Sequence, residues 1–124
     1  MKQNLKALVV EDDPISRKVI VQTLSAMNIT NATSENGVEA LKILNTRDFD
    51  FILMDINMPE QDGLDTVRWI RDLEDAYFKS LPIFALTAFG SGEHTLEILG
   101  AGMNEHLTKP IDPATLEAVL NKYF

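Results

Sequence analysis

Cysteine is absent from this 124-residue sequence. That excludes disulfides and thiolate-held metals, and it is compatible with a reducing compartment. No apolar run approaches the roughly 20 residues that a membrane span needs, so no membrane contact is expected. The opening residues, Met1-Lys2-Gln3-Asn4, lead into a short apolar run and then into acids, without a signal-peptide cleavage region. The expected location is therefore cytoplasmic. Basic residues are few: 11 Lys and Arg against 19 Asp and Glu leave a formal net charge of -8. Such a surface repels phosphate backbones, so direct nucleic-acid binding is not expected. Linker-like, low-complexity and repeated segments are missing too. The Asn28-Ile29-Thr30 and Asn31-Ala32-Thr33 triplets match the glycosylation pattern, which arises often by chance, and they read as accidental here.

What is present is ordinary for a globular chain, with 45% hydrophobic and 24% charged residues. The length suits a single domain over residues 1–124, large enough to bury a core without cross-links. Short apolar runs occur at 5–10, 51–54, 83–86 and 106–108, with a weaker one at 29–33. Continuous apolar runs suit strands covered on both faces, as in parallel sheets. Helical spacing fills the gaps. Asp13-Pro14 opens a pattern through Ile15, Val19, Ile20, Leu24 and Met27. Val38, Leu41 and Leu44 mark a second helix, and Leu64, Val67 and Ile70 a third. Leu96 and Leu99 mark a fourth, and Leu116, Val119 and Leu120 a fifth, opened by Asp112-Pro113. Five βα units predict an α/β fold: a flavodoxin-like, doubly wound (βα)5 three-layer sandwich whose parallel sheet runs 2-1-3-4-5.

The polar residues fall at the ends of the runs. Strand 1 ends in Glu11-Asp12-Asp13, strand 3 in Asp55, strand 4 in Thr87 and strand 5 in Lys109. In such a sheet these ends share one edge, and ligands bind there beside the point where strand order reverses. Carboxylates meeting in that crevice repel, by roughly 4 kcal/mol for a pair about 4 Å apart at an effective dielectric of 20. Protonation relieves this, and so does a bound cation. Oxygen donors with no histidine at these ends favour a hard ion, Mg²⁺ first and Mn²⁺ as the alternative. Open positions on that ion suit phosphoryl oxygens, and Thr87 and Lys109 would complete a phosphate pocket. Each residue alone has a plainer explanation. Asp13 is a helix cap, Asp55 a loop acid before a turn, Thr87 a local hydrogen-bonder and Lys109 a solvated cation. Their coincidence at four strand ends is what demands a common cause. Trp69 falls off the apolar face of helix 3 and is expected to be partly exposed, and His94 and His106 read as structural or surface residues rather than metal ligands.

Taken together, Glu11-Asp12, the stretch Asp55-Ile56-Asn57-Met58-Pro59-Glu60-Gln61-Asp62-Gly63, Leu86-Thr87-Ala88 and Lys109-Pro110 resemble response-regulator receiver domains over essentially the whole chain. The resemblance implies that Asp55 accepts a phosphoryl group from a phosphohistidine of a kinase or phosphotransfer partner. It implies Mg²⁺ held by Glu11, Asp12, Asp55 and the backbone carbonyl of Asn57. Thr87 and Lys109 would bind phosphoryl oxygens, across a cis Lys109-Pro110 peptide, and Phe89 and Asn57 would border the path of the hydrolysing water. Thr87 and the loop 88–92 would switch the surface around helices 4 and 5. Two departures matter. Glu11 replaces the more usual aspartate, and His106 stands where many members carry a switching aromatic. Residues 101–111 look most like receivers of hybrid sensor kinases, whose helix 1 surface, here Ile15, Ser16 and Val19, docks the phosphotransfer partner. The resemblance thus implies a domain of a larger protein, membrane-anchored in the hybrid-kinase case, with a free-standing regulator as the alternative, and in either case a monomer or weak dimer.

Three other readings compete. A haloacid-dehalogenase-type phosphatase also uses an aspartate after an apolar strand, but it wants an acid two residues later, where Asn57 stands. A receiver-like interaction module that is never phosphorylated could lose any of the acid, Thr and Lys set freely, yet the set is complete. A flavodoxin-like cofactor binder would want a hydroxyl-rich loop after strand 1.

Overall fold

The computed structural model describes residues 4–56, 63–87, 100 and 102–124. In chain order the elements are β1 (Lys6–Val10), α1 (Pro14–Ala26), β2 (Thr30–Ser34), α2 (Gly37–Leu44) and β3 (Phe51–Asp55). There follow α3 (Gly63–Asp72), α4 (Ala76–Ser80), β4 (Ile83–Thr87), β5 (Glu105–Thr108) and α5 (Pro113–Tyr123). The five strands form one sheet in the order β2-β1-β3-β4-β5, and every neighbouring pair is parallel. This is the expected α/β flavodoxin-like topology.

The continuous apolar runs are explained by what lies on each side of the sheet. Alternate residues point to opposite faces. Leu8, Val10, Ile52, Met54, Ile83 and Ala85 pack with Ala40, Leu44, Val67 and Ile70 of α2 and α3. Ala7, Val9, Phe51, Leu53, Phe84 and Leu86 pack with Ile20 and Leu24 of α1 and Leu116, Val119 and Leu120 of α5. Each fully buried Val, Leu, Ile, Phe or Met side chain among them stabilises the fold by about 1.5–3 kcal/mol before entropy is counted. β2, at the sheet edge, is only partly covered, which is why Thr30-Asn31-Ala32-Thr33-Ser34 reads weakly as a strand.

Helix starts are capped, at the two expected Asp-Pro openings and at Asn36 as well. The Asp13, Asn36 and Asp112 side chains accept from the backbone N–H groups of Ser16, Glu39 and Thr115. One element departs from expectation. α4 was not anticipated; it begins at an Asp75 cap and is only five residues long. Ile15 and Val19 lie at helical spacing but face solvent, at 76% and 42% exposure, because the sheet covers only the Ile20–Leu24 side of α1. Val38 is likewise exposed on α2. Trp69 is 43% exposed, as its off-face position predicts. The expected helix at Leu96 and Leu99, with His94, lies outside the described residues, as does the loop 88–92 with Phe89. Among the described residues no helix is long and apolar enough to cross a membrane.

Candidate functional site

Glu11 directly follows β1 and stays in register with the sheet, its N–H donating to the Ser34 carbonyl at 3.0 Å. Of the three consecutive acids, Asp13 serves the helix: its carboxylate accepts from Ser16 N at 2.8 Å. That leaves Glu11 and Asp12 aimed at the crevice. Asp55 is the last residue of β3, paired in register with Leu86 of β4. Thr87 ends β4, and its carbonyl accepts from Lys109 N at 2.8 Å, which seats Lys109 just beyond β5. The Lys109–Pro110 peptide is cis, as the resemblance implied.

These ends bring the charges together. One carboxylate oxygen from each of Glu11, Asp12 and Asp55 lies within 4.8 Å of the others. Lys109 Nζ lies 2.6 Å from Glu11 Oε1 and 3.4 Å from Asp55 Oδ2. Glu11 and Asp55 are buried, at 0% and 2% exposure, while Asp12 and Lys109 keep partial exposure. Charged groups of Glu11, Asp12 and Lys109 thus stand beside the Asp55 carboxylate.

Among the described residues, one ammonium against three carboxylates leaves the crevice negative. Burial pulls the Lys109 ammonium down, but its hydrogen bond and attraction to Glu11 and its attraction to Asp55 more than offset this, holding it above the ordinary lysine range. Burial pushes the Glu11 carboxyl up; hydrogen bonding from its site neighbours and the Lys109 charge together outweigh that, leaving it below the ordinary carboxylate range. Glu11 Oε2 is buried and accepts no hydrogen bond among the described residues. A buried carboxylate oxygen without a partner is costly. A hard cation among the three carboxylates would satisfy that oxygen, and the donor set is all oxygen, so the residues present fit Mg²⁺.

Thr87 is buried, and its hydroxyl donates to the Leu107 carbonyl across the β4–β5 seam at a long 3.4 Å. His106 sits apart from the cluster: it is exposed on edge strand β5, beside Pro110, Asp112 and Thr115. Asn57 lies outside the described residues. On α1, Ile15 and Val19 are exposed and Ser16 is half-buried between them and the acids.

One residue at the site escaped the sequence reading. Arg17 Nη1 donates to the backbone carbonyl of Glu11 at 3.0 Å and to that of Asp12 at 3.5 Å. Its only signal in the sequence was its place one turn into α1, where an arginine is ordinarily a solvated cation.

The response regulator receiver domain family matches residues 7–121. The chain belongs to that family. It is 34% identical to the chemotaxis protein CheY-3 of Vibrio cholerae over 125 residues, covering all of this chain and 95% of that one. It is also 41% identical over 120 residues to hybrid signal transduction histidine kinase A of Dictyostelium discoideum, covering 95% of this chain but 6% of that protein. Among solved structures, the receiver domain of a Pseudomonas aeruginosa sensor histidine kinase, with a magnesium ion coordinated in its active-site cleft, superposes with a TM-score of 0.85. It shares 32% identity and 97% coverage of both chains. A receiver domain takes part in two-component phosphorelay signalling, partnered by histidine kinases or phosphotransfer proteins. The family match and the acidic cluster favour this function over the phosphatase alternative.

Proposed function

We propose that Asp55 is the phospho-acceptor of this receiver, with Glu11, Asp12, Asp55 and the backbone carbonyl of Asn57 holding Mg²⁺, or Mn²⁺ in its place. The observation that carries the proposal is the meeting of three carboxylates with the Lys109 ammonium at the ends of β1, β3 and β5. An Asp55 carboxylate oxygen forms a bond to phosphorus as the P–N bond of a phosphohistidine breaks, and the freed histidine leaves with its electron pair. The product is an acyl phosphate. Phosphoryl transfer of this kind depends on positioning and charge neutralisation more than on covalent help from the protein. When bound, Mg²⁺ supplies neutralisation of the clustered acids and of the arriving phosphoryl oxygens. Lys109 supplies a second positive charge beside Glu11 and Asp55. With Asp55 nearly enclosed, the donor's approach runs along the side where Asp12 and Lys109 stay partly exposed.

The long Thr87 bond to Leu107 is weak enough to be exchanged for a phosphoryl oxygen. That exchange would draw Thr87 inward and bias the following loop, so that the modification acts as a switch between two states. His106, exposed on β5, would sense the same shift. The partner, a kinase or phosphotransfer domain, docks at Ile15, Ser16 and Val19, where apolar side chains lie open beside the acids. Residues 1–124 act as one receiver domain, a monomer or weak dimer, working in the cytoplasm on its own or within a hybrid kinase.

Incubation with Mg²⁺ and acetyl phosphate, followed by intact-mass measurement, tests the reading. The protein should gain one phosphoryl group, Asp55→Asn should lose that gain, and beryllofluoride should shift amide resonances at the strand ends. Rapid donor turnover without a stable adduct would return the phosphatase reading, and no adduct at all would leave an inert interaction module.

A further inference from the structure

The connection between β1 and α1 is three residues long, Glu11, Asp12 and Asp13, and two of them must present carboxylates in fixed directions. Its backbone has few ways to be held. Glu11 N is tied to Ser34 O, and the Asp13 carbonyl starts the helix by accepting from Arg17 N at 2.9 Å. Among the described residues, no backbone N–H of the β1–β2 ladder or the helix donates to the carbonyls of Glu11 and Asp12. Arg17 takes both: Nη1 donates to Glu11 O at 3.0 Å and to Asp12 O at 3.5 Å, from a side chain only 21% exposed. Its Nη2 lies 3.8 Å from Glu35 Oε1, but that carboxylate is 66% exposed, so the pair is a weak tether.

We infer that Arg17 is a positioning residue for the metal site, clamping the Glu11–Asp12 peptide so that both carboxylates face the crevice. The inference rests on the proposed Mg²⁺ site. Two cations thus hold opposite sides of one loop. Lys109 touches the carboxylates, where a metal ion would compete with it. Arg17 touches the carbonyls, where no ion would, and its charge need not be displaced on binding. A guanidinium suits this place because one nitrogen can bridge two adjacent carbonyls while the rest of the rigid fork reaches Glu35. Without it, the peptide can rotate, and the two acids lose their common aim.

The test is Mg²⁺ affinity of the folded chain without any phosphodonor, read from amide shifts, for wild type, R17M, R17Q, R17K and E35Q, each with its urea midpoint in chelator. R17M should bind Mg²⁺ about 10-fold or more weakly, the usual loss when a group that orients metal ligands is removed. E35Q should bind like wild type, and R17K should fall between. With acetyl phosphate, R17M should need more Mg²⁺ for half-maximal labelling yet approach the wild-type rate at saturation. Wild-type affinity in R17M, with only a lowered urea midpoint, would make Arg17 merely structural and overturn the inference. An equal loss in E35Q would do the same, by placing the effect in the ion pair. If R17M does not fold, R17Q decides, because its shorter, uncharged side chain cannot hold both carbonyls, and wild-type affinity there overturns the clamp. If wild type itself binds no Mg²⁺, the proposed site fails first, and that outcome is recognisable before any variant is compared.

Discussion

Lys109 Nζ lies 2.6 Å from Glu11 Oε1, although the two residues are 98 positions apart in the chain. The ammonium is the counter-ion of the acid cluster and also reaches Asp55. It therefore does in the ion-free protein part of what a divalent ion would do. Removing it by Lys109→Met leaves buried carboxylates facing one another. Breaking one partner of a buried pair costs about 3–5 kcal/mol. Because the Lys109 side chain is 26% exposed, a loss of about 2–3 kcal/mol in chelator is expected. Mg²⁺ should recover more stability in this variant than in wild type, where about 2.7 kcal/mol is the gain expected at a hundredfold excess over Kd. Urea midpoints of both proteins, with chelator and with Mg²⁺, check this. Equal losses in the two conditions would show that Lys109 and the ion do not share a site.

The same contact sets a pH dependence. Glu11 is held below its ordinary value of 4.5, so its contribution is present above that value and is lost as pH falls through the folded-state value. Lys109 is held above its ordinary value of 10.5, so its contribution is complete below that and is lost only as pH rises through the higher folded-state value. The pair therefore stabilises fully across neutral pH. In chelator, stability should drop steeply below about pH 4.5, and Glu11→Gln should flatten that limb. Urea midpoints measured from about pH 3 to pH 7 read the difference in slope; parallel curves would remove Glu11 from the acid transition.

The strands and their polar ends were legible because burial on both faces leaves an unbroken apolar run that stops where the chain leaves the sheet. Phe51 to Met54 is such a run, and Asp55 is its stop. Glu11, Asp12, Thr87 and Lys109 follow the same logic at β1, β4 and β5, so their meeting could be read from strand order alone. α4 could not. Its five residues carry too little periodicity, and it is held by tertiary contacts: the Tyr77 hydroxyl accepts from Phe49 N at 2.7 Å and donates to Phe49 O at 2.8 Å. Ile15 and Val19 mark α1 by their spacing, but spacing tells which residues share a face, not which face the sheet covers; only the family resemblance pointed to them as surface residues. Arg17 and Arg71 were invisible for a common reason: each acts on backbone carbonyls, and a carbonyl has no signature in sequence.

Arg71 anchors the chain where it enters β5. Its Nε and Nη2 donate to Gly102 O at 2.9 and 2.7 Å, Nη1 donates to Phe78 O at 2.8 Å, and Nη2 reaches Asn104 Oδ1 at 3.1 Å. Asn104 in turn accepts from Ile83 N at 2.9 Å, so one guanidinium ties α3, α4, β4 and the approach to β5. Arg71→Met should cost about 2–3 kcal/mol, the range for losing charge-assisted hydrogen bonds whose acceptors are left partly buried. Gly102 has φ of +105°, and a Cβ there would lie 2.9 Å from Arg71 Cγ. Gly102→Ala should therefore destabilise by about 1–3 kcal/mol through backbone strain and by crowding the same anchor. Because the two residues touch, the double variant should lose less than the sum of the singles. Denaturant melts of the three variants check this, and strict additivity would mean that Gly102 and Arg71 act separately.

Ile15 and Val19 give a last prediction, one that separates docking from chemistry. Both are exposed on α1, and neither belongs to the cores on either side of the sheet. A charge at either position should leave stability within about 0.5 kcal/mol of wild type. An apolar patch beside an acid cluster suits a protein partner better than a small phosphodonor, because burying apolar area drives association only when the partner is large enough to cover it. Ile15→Asp and Val19→Asp should thus accept phosphate from acetyl phosphate at the wild-type rate. From a phosphorylated histidine phosphotransfer protein they should accept it at least 10-fold more slowly, the effect of losing about 1.4 kcal/mol at an interface. Intact-mass time courses with the two donors, run side by side, measure the ratio. Equal slowing with both donors would mean that the substitutions disturb the Asp55 site itself, and no slowing with either would place the partner's footprint elsewhere on the domain.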